Sequence, residues 1–85
     1  MPTIFKRGNL KFFFYSNEGN PREPIHIHVR GPNGEAKIWM APAIGVAESK
    51  GFNTRELADI IRQVMKNKSA IERAWHEHFS DEGPF

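Results

Sequence analysis

No cysteine occurs in the chain. Disulfides and thiolate metal sites are therefore both excluded. No apolar run approaches the roughly 18 residues that a membrane-spanning helix needs. The opening Met1-Pro2-Thr3-Ile4-Phe5-Lys6 lacks the apolar stretch of a secretory signal, and a cytoplasmic protein is expected. A glycine-rich phosphate loop, a Ser/His/Asp order and a paired-carboxylate arrangement are also missing; the glycines are scattered and serve turns. A strong charge of either sign is absent too. The net charge is +2 and the pI about 9.2, a balance that permits nucleic-acid binding without arguing for it.

What is present is an ordinary globular composition, 39% hydrophobic and 26% charged over 85 residues, which supports one domain, residues 1–85, with one modest core. A core this small favours a homo-oligomeric or heteromeric partner for part of its stability. The most informative stretch is Pro24-Ile25-His26-Ile27-His28-Val29-Arg30. Apolar and polar residues alternate strictly, the period of a half-buried strand. Ile25, Ile27 and Val29 point to a core, and His26, His28 and Arg30 point the other way.

Around that strand the chain reads as follows. Thr3 to Arg7 is a first strand, Gly8-Asn9 a two-residue hairpin turn, and Leu10 to Ser16 a second strand whose aromatic density suits a pleated surface. Asn17 to Pro24 is a loop by composition. Gly31-Pro32-Asn33-Gly34 is the next turn and Glu35 to Met40 the fourth strand; Pro42 and Gly45 make Ala41 to Glu48 irregular or at best a short edge strand. Asn53 with Glu56 forms a capping box and Phe52 with Leu57 a hydrophobic staple, opening a helix with Ile60, Ile61, Val64 and Met65 on its apolar stripe. Asn67-Lys68 ends it, and Ser69 with Glu72 opens a second helix carrying Ile71, Trp75, His78 and Phe79 at helical spacing. The expectation is an α+β fold: an antiparallel four-stranded sheet (3–48), a helical pair (53–79) packed on one face, and a frayed tail (80–85).

The other face of that sheet is where function is expected. With Gly31 to Gly34 as the hairpin loop, Arg30 stands opposite Glu35, His28 opposite Lys37 and His26 opposite Trp39, and the second strand adds Lys11, Phe13 and Tyr15. Left uncovered, this is more aromatic area than water tolerates without a reason. Three readings compete. The aromatics pack under the Asn17 to Pro24 loop or the Ala41 to Glu48 segment; or Phe13, Tyr15, His26, His28, Arg30, Lys37 and Trp39 bind a protein partner; or the rings stack single-stranded RNA with phosphates near Lys11, Arg30 and Lys37. No RNP-type motif supports the third, which ranks below the second.

His26 and His28 lie about 7 Å apart along the strand. Two imidazoles so placed suit one divalent metal ion if Glu23, His76 or Glu77 supplies a third ligand. Alternatively they serve as acid and base in an RNA-cleaving site, with Arg30 and Lys37 steadying a phosphate. A solvated polar strand face looks the same in sequence. His76 and His78 lie about 200° apart on a helix, and structural roles are the default for both.

The opening Met1-Pro2-Thr3-Ile4, the Phe12-Phe13-Phe14-Tyr15-Ser16-Asn17-Glu18 run, the Pro24 to Val29 strand and the closing Ala74-Trp75-His76-Glu77-His78-Phe79 together resemble one family. They are similar to the bacterial domain-of-unknown-function family 4160, small stand-alone proteins with a "PHIHV"-type strand. Here Ile25 stands between the proline and His26, where the family pattern joins them, and His78 stands where an aromatic is common. The family has no established activity. The resemblance implies one half of a toxin–antitoxin-like pair, with a small protein partner encoded next to it. A toxin-type ribonuclease or metal-dependent RNA-directed enzyme using His26 and His28 is the alternative. No cofactor beyond that divalent metal is expected.

Overall fold

The computed structural model describes residues 3–15 and 23–79. Strands β1 (Thr3–Arg7), β2 (Leu10–Phe13), β3 (His26–Arg30), β4 (Glu35–Trp39) and β5 (Gly45–Lys50) precede helices α1 (Thr54–Lys66) and α2 (Lys68–Phe79). The α+β class, the antiparallel sheet and the two C-terminal helices match the expectation, but the sheet has five strands, not four. It is a meander in chain order, every neighbour antiparallel.

The fifth strand escapes a period-2 reading for a physical reason. Its pairing runs Lys37↔Glu48 and then Ile38↔Val46, so Ala47 is an extra, bulged residue that breaks the alternation. Of the two deterrents in the sequence, Pro42 lies before the strand in the β4–β5 connection, where its peptide bond with Ala41 is cis, and Gly45 is the first residue of the strand. The second strand ends at Phe13, earlier than its composition suggests. Ser16 of the expected second strand, residues 17–22 of the expected loop and the tail 80–85 lie outside the described residues.

Turn chemistry sets the register. Gly8 takes a left-handed φ of 59° between Arg7 and Leu10, which pair directly. The β3–β4 turn closes with a 2.9 Å hydrogen bond from the Gly31 amide to the Gly34 carbonyl. It is held against the end of β5: a Cβ on Gly51, itself at φ 90°, would collide with the Asn33 carbonyl, and one on Gly34 with that of Lys50.

Alternation then sorts the side chains. Phe12, Phe14, Ile27, Val29, Ala36, Ile38 and Met40 form one core with Ile60 and Val64 of α1 and Ile71, Trp75 and Phe79 of α2. Both helices thus cover the same sheet face. Asn53 caps α1 by the expected box: its side chain accepts from the Glu56 amide, and Glu56 accepts from the Asn53 amide, each at 2.8 Å. Phe52 and Leu57 are partly buried against the core. The second helix begins one residue earlier than Ser69. Asn67 alone separates the helices, its amide and side chain bonding back to the Gln63 carbonyl and its own carbonyl accepting from Ile71. It serves both ends, leaving Ser69 inside α2.

No described helix is long and apolar enough to cross a membrane.

Candidate functional site

The sheet face opposite the helices is organised in rows, because directly opposed residues of an antiparallel pair point the same way. Arg30 faces Glu35, His28 faces Lys37 and His26 faces Trp39, as the turn predicts. Lys11 faces Arg30 and Phe13 faces His28. One row crosses the whole sheet with a residue from every strand: Lys6, Lys11, Arg30, Glu35, Lys50. The next runs Phe13, His28, Lys37, Glu48. Lys6, Lys50 and Glu48 are not among the residues anticipated for the site. Lys6 is nonetheless legible, since a two-residue turn at Gly8-Asn9 pairs Arg7 with Leu10 and therefore Lys6 with Lys11.

The aromatic part of this face is not left uncovered. Phe13 is 2% exposed and His26 fully buried. Phe13 stacks on His28 at 5.7 Å and meets Tyr15 edge-on at 5.1 Å, while Tyr15 packs edge-on to His28 at 4.5 Å. His26 is enclosed by His28 at 5.2 Å, Trp39 at 5.5 Å and Trp75 at 5.1 Å. Trp75 belongs to α2, so the cluster connects the polar face to the core at this end of the sheet. Its interior, Phe13 and His26, is a packing unit, and Tyr15, His28 and Trp39 form its half-buried rim.

Cations lie over the rings. Lys11 Nζ and Arg30 Cζ sit 5.9 and 5.4 Å from the centroid of Phe13, and Lys37 Nζ is 4.5 Å from that of Trp39. These separations fall within cation–π range. Arg30 is held further by a 3.1 Å hydrogen bond from Nη2 to the Tyr15 hydroxyl and by Glu35 at 3.4 Å, and remains exposed. Lys37 donates to Glu23 Oε1 at 2.8 Å and is mostly covered. Glu23 brings the segment before β3 onto this face through that ion pair. Beside Arg30 a shallow depression of about 430 Å³ opens between the Gly31 to Gly34 turn and Gly51, with Lys50 on its rim.

The histidines divide by environment. His26 Nδ1 lies 2.9 Å from the Pro24 carbonyl, which can only accept, so Nδ1 carries a hydrogen. His28 is half-buried. On α2, His78 packs on Phe79 at 4.5 Å and near Phe14 at 6.1 Å, the packed role its spacing predicts, and His76 is exposed. Among the described residues no group of three or more His, Cys, Asp or Glu side chains is placed to hold a metal ion. Of the third-ligand candidates, Glu23 is engaged by Lys37, and His76 and Glu77 lie on the exposed side of α2.

Residues 9–76 match the family model described as Domain of unknown function (DUF4160). No curated protein matches the chain, and no solved structure does.

Proposed function

The chain belongs to this DUF4160 family, and on that premise we propose that it is a protein-interaction module whose contact surface is the helix-free face of the sheet. It acts as one half of a toxin–antitoxin-like pair in the cytoplasm, and its partner is a small protein encoded beside it. One observation carries the reading. Both helices pack on the opposite face, yet this face holds Tyr15, His28, Lys37 and Trp39 half-buried and Arg30 exposed.

Aromatic residues and Arg are the commonest anchors of protein interfaces. The buried Phe13 and His26 beneath them limit rotamer freedom, so the anchors lose little entropy on binding. Arg30, with Tyr15, Glu35 and the Phe13 ring fixing it, is the pre-organised centre.

RNA-directed chemistry is the rival. It narrows to His28 beside Arg30 and Lys37, because the His26 ring is fully enclosed. A native pull-down from the source cells, split into nuclease-treated and untreated halves, separates the two. One stoichiometric protein surviving nuclease is the expected result. Material released by nuclease favours the rival, and His28→Ala is then the next variant to assay for RNA cleavage.

A further inference from the structure

Resting on that contact-surface reading, we infer that the partner docks through an acidic α-helix laid across the strands, its carboxylates on the Lys6–Lys11–Arg30 row. Three cations stand in direct cross-strand register: Lys6 opposite Lys11, and Lys11 opposite Arg30. Like charges directly opposed cost a sheet stability. Along the rest of the face the charges alternate. Lys37 sits between Glu23 and its strand neighbour Glu48, and Glu35 between Arg30 and Lys50. The Phe13 ring lies under Lys11 and Arg30, but among the described residues no carboxylate within ion-pair distance offsets Lys6 or Lys11, and a ligand bearing the opposite charge would.

Geometry and chemistry select the ligand. Strand spacing places the three cations over about 10 Å. Carboxylates at i, i+4 and i+7 of a helix span about 10.5 Å, whereas three on one side of an extended strand span about 13 Å. The helix matches the row. Single-stranded RNA needs ring faces for its bases, and here two of the rings are occupied: Phe13 is buried beneath Lys11 and Arg30, and Trp39 carries Lys37. Pairing through a sheet edge is a poorer route, because both outer strands are bulged, β1 at Ile4 and β5 at Ala47.

The test uses the full chain and three labelled probes in anisotropy titrations: a helical peptide with Glu at i, i+4 and i+7, the same composition with the glutamates dispersed around the helix, and an oligouridine of equal charge. The patterned peptide should bind at least 10-fold more tightly than either of the others, and less tightly as salt rises. Lys11→Glu should lose at least 10-fold of that binding while still melting cooperatively, because the opposite-charge contacts it gains with Lys6 and Arg30 offset the Phe13 contact it gives up. Lys6→Gln, which removes charge without introducing any, should lose binding at an unchanged or slightly raised Tm.

Equal binding of the two peptides, oligouridine binding as tightly as the patterned peptide, or undiminished binding by Lys11→Glu would each overturn the inference. The native pull-down distinguishes its failure from that of the contact surface. A partner captured as well by Lys11→Glu as by wild type overturns the cation row alone; no captured protein overturns both.

Discussion

Lys11 and Arg30 stand directly opposite each other on β2 and β3, and both lie over the ring of Phe13. The electron-rich ring beneath them offsets part of the repulsion between the two like charges. The Phe13 ring thus serves as a floor for these two charges. That relationship explains how the face is at once well packed and strongly cationic at one corner.

Removing the floor should unfold the corner. Phe13→Ala deletes a ring that is 2% exposed and leaves the two cations without their π contact. A loss of about 3–5 kcal/mol is expected, and Phe13→Leu should retain most of it. Urea denaturation of the two variants measures the difference. A loss below about 1 kcal/mol for Phe13→Ala would mean the ring supports nothing.

His26 and His28 should behave differently although they share one strand face. His26 is buried among His28, Trp39 and Trp75 and bonded to the Pro24 carbonyl. Its change to Ala removes packing and a buried hydrogen bond, at about 2–4 kcal/mol. His28 lies on the half-buried rim, and His28→Ala should cost about 1 kcal/mol. Equilibrium unfolding gives the order, and the reverse order would contradict the division into interior and rim.

The two candidate capping sites make a paired test. Asn53 accepts from the Glu56 amide at 2.8 Å, so Asn53→Ala should cost about 1 kcal/mol and lower Tm by about 4–8 °C. Ser69 lies inside α2, and Ser69→Ala should change stability by less than about 0.5 kcal/mol. Thermal melts of the two variants decide it.

Gly51 and Gly8 both have positive φ, but only Gly51 is crowded. A Cβ at Gly8 meets nothing within 4 Å, whereas at Gly51 it would collide with the Asn33 carbonyl. Gly8→Ala should cost about 1 kcal/mol from backbone strain alone. Gly51→Ala should cost clearly more, because the β3–β4 turn must move away from β5. Comparable losses in urea titrations would count against the close approach.

How much of this was legible in the sequence follows from the range of the interactions. The pairing of β3 with β4 was fully legible, since Gly31 to Gly34 fixes the loop and the strict alternation fixes the faces. The Asn53 and Glu56 cap was legible for the same local reason. The fifth strand was hidden by one bulged residue, Ala47, which shifts the pattern out of phase. Ser69 misled because α2 already begins at Lys68, directly after Asn67, whose amide and side chain end the preceding helix on the Gln63 carbonyl.

The burial of His26 could not be read from its own strand, because Trp75 arrives from α2, far along the chain. Period 2 says which face a side chain takes, not what else reaches that face. The register of β2, β3 and β4 on one face was therefore legible, while the distinction between the packed interior of that face and its exposed rim needed the tertiary fold.

The central claim is that the helix-free face binds a protein. Its most direct test is capture of the partner by wild type and by the Arg30→Ala/Trp39→Ala double variant, with the melting curve of each recorded alongside. Arg30 is exposed and Trp39 half-buried, so the double variant should still fold cooperatively while capture falls at least 10-fold. A variant that folds and captures its partner as well as wild type would contradict the account.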